Sequence, residues 1–84
     1  MKPDSTFTTT IAKVNEQLFR GDVLSCTLPG SEGQLTILPH HAPLISLLKS
    51  GTIRVRTSET VHDFAVQKGV LEVSNNQMTV LIQK

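Results

Sequence analysis

The feature that most constrains this chain is a two-residue alternation of apolar and polar side chains, in short runs that end at turn-forming residues. Spacing of two places one set of side chains on one face of a β-strand, whereas a helix repeats at three and four. Glycine, proline and the pair Asn75-Asn76 interrupt the runs and keep each one short. The chain is therefore expected to be all-β, with strands at residues 7–14, 22–28, 34–38, 52–56, 61–66, 70–73 and 78–82.

Short strands with one apolar face must bury that face on another layer, which predicts a two-layer β-sandwich of mostly antiparallel strands. The length of 84 residues suits one small core, so we expect a single domain over residues 1–84. Residues 41–49 fit the alternation less well and could form a helical turn or a crossing strand; we interpret them as a connector between the sheets. The side chains expected to be mostly buried are Val23, Cys26, Leu28, Leu35, Ile37, Ile53, Val55, Phe64, Val66, Leu71, Val73, Val80 and Ile82.

Charges in the chain nearly cancel, with eight Lys and Arg against seven Asp and Glu. This balance gives no electrostatic footprint for a nucleic acid backbone, so no nucleic acid partner is expected. No run approaches the ~18 apolar residues that a membrane-spanning helix needs, and residues 1–21 contain no apolar segment typical of a signal peptide. A place at a membrane would therefore depend on a partner. The single cysteine, Cys26, lies in an apolar run and is expected to be a buried, inert thiol.

Three stretches, in a fixed order, carry a resemblance to a known family. They are Leu-Pro-Gly-Ser-Glu-Gly-Gln-Leu at residues 28–35, Ile-Leu-Pro-His-His-Ala-Pro-Leu at residues 37–44 and Lys-Ser-Gly-Thr-Ile-Arg-Val at residues 49–55. Together they resemble the N-terminal β-sandwich domain of the ATP synthase epsilon subunit, which is called delta in mitochondria. Residues 69–73 and 78–81 match as well, so the resemblance covers nearly the whole chain.

This resemblance implies a non-catalytic rotor subunit at the foot of the central stalk, with no active site and no cofactor. Such a subunit would link the gamma subunit to the proteolipid ring and couple ion translocation to ATP synthesis. It would lie on the cytoplasmic side of a bacterial inner membrane and touch the membrane only through the complex. The implied ring contacts are Ser31, Glu32, Gly33 and Gln34, and the implied gamma contacts are His41, Ala42, Pro43 and Leu44.

The chain departs from the family pattern at two glycine positions and at its end. His40 and Thr36 stand where the family usually or often has glycine. A side chain restricts the backbone at a turn, so the loop at His40 is expected to differ locally if that position needs a positive φ. Family members usually continue past the last strand into an Ala- and Glu-rich helical hairpin, whereas the sequence stops at Lys84. We therefore expect neither the hairpin nor inhibition of rotation by an extended arm.

Several residues also allow interpretations unrelated to the family. Residues 29–33 could form a hairpin turn or a phosphate-binding nest, although no Lys or Ser/Thr pair completes a P-loop. His41 could be a turn residue satisfied by backbone hydrogen bonds or a subunit contact. The stretch at residues 42–45 could belong to the core or to a contact with gamma. These alternatives stay open on the sequence alone.

The sequence can also be compared with other classes of function: a metal site, a small enzyme and a binding module. Neighbouring histidines on a strand face opposite ways, and no further Cys or His follows at ligand spacing, so no metal site is expected at His40 and His41. A small enzyme could use His62 and Asp63, but only if a concave pocket held both side chains. The main rival to the rotor subunit is a free-standing β-sandwich module that binds a ligand or a peptide at a sheet edge.

Overall fold

The computed structural model of the protein describes residues 5–83, and all the regular secondary structure in this range is β-strand. No helix in the described range could cross a membrane. The strands are β1 (Phe7–Lys13), β2 (Glu16–Val23), β3 (Ser25–Gly30), β4 (Gly33–Ile37), β5 (Leu44–Leu48), β6 (Gly51–Arg56), β7 (Val61–Val66), β8 (Lys68–Ser74) and β9 (Gln77–Gln83).

The strands form two layers that meet at one corner. The first sheet has the order β2-β1-β9-β8-β5, and the second has the order β4-β3-β6-β7. The layers are joined where Gly30, at the end of β3, pairs with Leu48, at the end of β5. Only β1 and β9 pair in parallel among the described strands. The predicted all-β sandwich of mostly antiparallel strands is therefore confirmed.

The core lies between the two layers and contains most of the predicted residues. Leu35 and Phe64 are only half-buried, because they lie on β4 and β7 at the margins of the second sheet. Thr9 is fully buried on the inner side of β1, and its Oγ1 has no hydrogen-bond partner among residues 5–83. Four further side chains belong to the core although they were not among those predicted to be buried: Phe7, Ile11, Leu48 and Met78.

Strand β2 was not predicted, because Gly21 was interpreted as a turn. Instead, Gly21 lies inside β2 and pairs with Thr9. A register shift opposite Ile11 makes Leu18 a bulge, so that Leu18 and Phe19 are both half-buried and the alternation is lost there. The predicted strand at residues 22–28 therefore spans the end of β2, a bend and most of β3.

Residues 41–49 do connect the layers, and most of them form the crossing strand β5 rather than a helical turn. Leu44 and Leu48 face inward, whereas Ile45 and Leu47 face outward. Both sets of positions are apolar, which explains why this segment shows no clear alternation.

The predicted tight turn at Asn75 and Asn76 is confirmed. Both residues have positive φ, at 51° and 59°, and they join Ser74 to its partner Gln77. Two consecutive positive φ values define the type I′ turn, whose twist matches that of the flanking strands.

Candidate functional site

The first predicted contact, residues 31–34, includes the tip of the hairpin formed by β3 and β4. Gly30 pairs with Gly33, and the exposed residues Ser31 and Glu32 lie between them. Gly33 has a φ of 137°, and a Cβ atom added to Gly30 would lie 2.6 Å from the carbonyl oxygen of Gly33. Both glycines are therefore required by the backbone of the turn. The interpretation of this loop as a hairpin turn is confirmed.

The second predicted contact, residues 41–44, follows a turn closed by one hydrogen bond. The backbone N–H of His41 donates to the carbonyl oxygen of Leu38 over 3.2 Å, and His40 has a φ of 64°. This is the arrangement of a type II turn with Pro39 second and a positive φ at the third residue. Since glycine adopts this conformation most readily, His40 occupies a position that is unfavourable for a residue with a side chain.

The side chains of residues 41–44 divide between the surface and the core. Ala42 and Pro43 are exposed, whereas Leu44 is half-buried and packs against the core. The Nδ1–H of His41 donates to the carbonyl oxygen of Ala42 over 2.7 Å. Each alternative for this stretch therefore describes part of it: Ala42 and Pro43 are available to a partner, and Leu44 stabilises the fold.

The outer face of the first sheet carries an apolar row, formed by Leu47, Val70, Leu81 and Ala12. These residues lie side by side on β5, β8, β9 and β1, because the strand registers pair each with the next. Leu47 is 60% exposed, Val70 42% and Leu81 50%, and on the same face Ile45 is 74% exposed. A contiguous apolar patch on an outer surface typically marks an interaction site.

The sequence contained a signal for this row that the alternation did not use. Val70 precedes the buried Leu71, and Leu81 lies between the buried Val80 and Ile82, so at these points each strand carries apolar residues on both faces. Strands that read as continuous apolar runs are typically covered on both faces. The outer apolar residues could therefore have been identified as candidates for a covered surface.

Strand β5 connects the two predicted contacts. It begins directly after Ala42 and Pro43, and near its other end the carbonyl oxygen of Leu47 accepts a hydrogen bond of 2.9 Å from the backbone N–H of Ser31. A groove lined in part by Ser31, Leu47 and Val70 continues from the hairpin tip onto the apolar row. The hairpin tip and the apolar row are thus contiguous, whereas residues 41–43 lie at the opposite end of the sandwich.

The outer face of the second sheet is different, because its central row is polar. This polar row consists of Thr36, Thr27, Arg54 and Asp63, which are neighbours across β4, β3, β6 and β7. The Nε and Nη2 groups of Arg54 donate to the two carboxylate oxygens of Asp63 over 2.9 and 3.1 Å. These hydrogen bonds hold the pKa of Asp63 below its ordinary 3.8 and raise the pKa of Arg54.

The hypothesis of a small enzyme that uses His62 and Asp63 is not supported by the geometry. The two exposed residues are adjacent on β7, so they point to opposite faces of the strand. The ring of His62 lies 5.3 Å from that of Phe19, measured between centroids, whereas Asp63 binds Arg54 on the outer face. The pocket that Asp63 lines with Thr27, Gln34, Thr52 and Arg54 does not include His62.

The structure also bears on two other kinds of reactive site, a reactive thiol and a metal centre. Burial raises the pKa of the Cys26 thiol to about 12, which confirms that this residue is buried and predicts an unreactive thiol. Among residues 5–83, no group of three or more His, Cys, Asp or Glu side chains is arranged to hold a metal ion.

Comparison with known proteins finds matches to the chain in one family. The family model described as ATP synthase, Delta/Epsilon chain, beta-sandwich domain matches residues 6–84. The ATP synthase epsilon chain of Psychrobacter arcticus is 43% identical over 72 residues, which cover 84% of this chain and 52% of that protein. The epsilon chain of Leptospira borgpetersenii is 41% identical over 64 residues, covering 76% of this chain and 50% of that one. The chain thus spans about half the length of these relatives.

Solved structures give the same fold at low identity. A chain in the Euglena gracilis mitochondrial ATP synthase, in a structure of OSCP, F1 and the c-ring, matches with a TM-score of 0.88 and 17% identity. The match covers 95% of this chain and 52% of that one. A chain from the central stalk and c-ring structure of the Tetrahymena thermophila enzyme matches with a TM-score of 0.76 and 15% identity, covering 92% and 63% of the two chains.

Proposed function

The chain belongs to the ATP synthase delta/epsilon β-sandwich family, and on that premise we propose that it serves as a non-catalytic component of the rotor. In this role it links the gamma subunit to the proteolipid ring, so that ion translocation drives ATP synthesis performed by other subunits. The observation that carries the proposal is the presence of two chemically different exposed surfaces on one sandwich. One is the polar hairpin tip, and the other is an apolar surface on the first sheet.

We assign the proteolipid ring to the hairpin tip. Ser31, Glu32 and Gln34 are exposed, and Gly33 allows the backbone of the tight turn. Substitutions of exposed polar turn residues usually change the stability of the fold little, so these residues are available for recognition. A polar tip also suits polar loops of a membrane ring better than it suits the hydrocarbon of the bilayer.

We assign the gamma subunit to residues 41–43 together with the apolar surface. That surface consists of Ala42 and Pro43 at one end of β5, Ile45 and Leu47 along it, and the apolar row beyond. Burial of exposed apolar side chains stabilises a complex by about 25 cal/mol per Å² of apolar area removed from water, before the costs of association. Leu44 is half-buried and packs against the core, so it contributes to this contact only through its exposed part.

A rigid scaffold explains why one small sandwich would carry both contacts. Loops set on a packed β-scaffold hold fixed positions, so a force applied at one contact is transmitted to the other instead of bending a linker. Strand β5 lies between the two surfaces and is hydrogen-bonded to β8 along its length and to β3 at its end.

The proposed location is the cytoplasmic side of a bacterial inner membrane, with membrane contact only through the complex. Support comes from the relatives in Psychrobacter and Leptospira, which are bacterial ATP synthase epsilon chains.

The proposal is tested by reversing one charge at the hairpin tip. Glu32→Lys, in membrane vesicles that contain the whole complex, is expected to lower ATP-driven ion pumping severalfold at a given rate of ATP hydrolysis. Glu59→Lys is the matched control, because Glu59 is also an exposed turn residue and lies at the opposite end of the sandwich. Circular dichroism should show that both variants fold. Equal pumping by Glu32→Lys and the parent complex would count against the placement of the ring at this loop.

A further inference from the structure

Asn76 connects three separate segments at one end of the sandwich. Its side-chain Nδ2 donates to the carbonyl oxygen of Thr6 over 3.1 Å, and its Oδ1 accepts a hydrogen bond of 2.7 Å from the backbone N–H of His40. Its own carbonyl oxygen accepts the N–H of Thr8 over 3.3 Å. The residue therefore ties the start of β1 and the turn at residues 38–41 to the turn between β8 and β9.

The two side-chain contacts fix the orientation of the amide. A backbone N–H can only donate and a backbone carbonyl can only accept, so exchanging the oxygen and nitrogen of Asn76 would break both bonds at once. Asn76 is half-buried, whereas its neighbour Asn75 is exposed. The side chain of Asn76 is thus held at a junction, unlike that of the residue beside it.

The turn that contains Asn76 does not itself require this side chain. Type I′ turns favour Asn followed by Gly, because both central residues need positive φ and glycine adopts it without a steric penalty. Glycine at position 76 would serve the turn as well. The contacts of the Asn76 amide with Thr6 and His40 therefore act outside the turn.

The turn on the other side of the junction does need support. His40 has a φ of 64°, a conformation that is costly for a residue with a side chain, and its N–H is the group that Asn76 binds. Immediately after this turn the chain continues through Ala42 and Pro43, which are exposed, into β5. Any loosening of His40 would move these two residues relative to the sandwich.

We propose that Asn76 is a positioning residue that locks the left-handed turn at His40 and so presets the surface of Ala42 and Pro43 for the gamma subunit. The locking stands on the hydrogen bonds alone, whereas the identity of the partner rests on the proposed function. A contact surface held in its bound conformation loses less conformational entropy on association, which strengthens binding. Asn76 therefore acts on the complex through His40, without touching the partner itself.

Amide hydrogen exchange of the full chain, followed by NMR, tests the lock. Asn76→Gly keeps the positive φ and removes both side-chain contacts, so the His40 amide is expected to exchange about tenfold faster or more. Asn76→Asp keeps the oxygen that accepts from His40 and should largely preserve the slow exchange. Asn75→Gly is the matched control, since it changes the adjacent turn residue and should leave the His40 amide unchanged. Amides in the paired strands β8 and β9 report any general loss of stability.

Equal exchange of the His40 amide in Asn76→Gly and the parent chain would overturn the lock. So would a loss of protection that spreads equally through β8 and β9, because it would show general destabilisation instead of a local release.

The affinity of the chain for the isolated gamma subunit tests whether the lock at His40 strengthens binding. Asn76→Gly is expected to weaken binding about threefold to tenfold, with Asn75→Gly unchanged, because only the former frees the turn. Faster exchange at His40 with unchanged affinity would overturn the positioning role. If the parent chain itself failed to bind gamma, the proposed function would fall, whereas the lock would still be judged by the exchange rates.

Discussion

The two outer faces of the sandwich differ in chemistry although they are built alike. Each has a row of four residues that are neighbours across four strands, with the polar row on the second sheet and the apolar row on the first. Arg54 and Asp63 in the polar row bind each other and meet water, whereas Leu47 and Leu81 in the apolar row are at least half exposed without a cover.

A sheet that faces water on one side usually alternates apolar inner positions with polar outer ones. The second sheet follows this rule except at Val61 and Ala65 on its last strand, β7, whereas the first sheet departs from it along the apolar row and at Ile45. The fold of the isolated chain gives no reason for the departure, because the core is already complete beneath the row. The difference supports the proposal that the first sheet meets a partner.

The largest expected effect separates two adjacent residues of β8, whose substitutions should change the free energy of unfolding by very different amounts. Leu71→Ala removes a fully buried side chain and is expected to lower the free energy of unfolding by about 2–5 kcal/mol. Val70→Ala, one position earlier in the apolar row, should cost less than about 1 kcal/mol, because its side chain is already exposed in the isolated chain. Urea unfolding of the two variants measures both values. Similar losses would mean that the apolar row stabilises the fold, and would remove the main argument for a partner there.

A second prediction concerns the inner side of the first sheet, where Thr9 reverses the pattern by placing a polar group in the core. Its Oγ1 is buried, and no group in the described part of the chain forms a hydrogen bond with it. Thr9→Val replaces the hydroxyl with a methyl group of similar size and should raise the free energy of unfolding by about 1 kcal/mol. Thr79→Val, at an exposed position of β9, is the control and should change it less. A destabilised Thr9→Val variant would show that the hydroxyl is satisfied in solution, for example by a buried water.

The smallest expected change in the free energy of unfolding comes from a substitution in the polar row. Because hydrogen bonds from Arg54 lower the pKa of Asp63 in the folded chain, the pair stabilises the fold above the pKa of Asp63 in the unfolded chain. This contribution is lost as the pH falls through the lower pKa of the folded chain. Asp63→Asn should therefore be slightly less stable than the parent at neutral pH, and the difference should disappear in acid below pH 3.8. Urea unfolding across this range measures it, and a difference that persisted at the lowest pH would contradict the assignment.

Much of the fold could be predicted because alternation and turn chemistry act locally. Residues 52–56 alternate cleanly, and Asn75-Asn76 favours the positive φ values that its turn needs. Strand β2 could not be predicted in the same way. The bulge at Leu18 shifts the alternation, and Gly21, a residue type common in turns, lies inside the strand.

The candidate site was predictable only in part. The hairpin at residues 31–34 follows from its glycines, whose spacing the backbone of the turn requires. The apolar row depends on strand registers that bring Leu47, Val70 and Leu81 together from distant parts of the sequence. The contact between Asn76 and His40 joins residues 36 positions apart, and neither residue type signals it.

The central claim, that the apolar face and not the polar face meets the gamma subunit, is tested by placing the same charge on each face. Leu81→Glu and Thr52→Glu both introduce a carboxylate at an exposed strand position, and both chains should remain folded by circular dichroism. Titration of the isolated gamma subunit is expected to show an affinity about 100-fold lower for Leu81→Glu, since burying an unpaired charge at the centre of an interface costs several kcal/mol. Thr52→Glu should bind like the parent chain. Unchanged binding by Leu81→Glu, or a comparable loss caused by Thr52→Glu, would contradict the account.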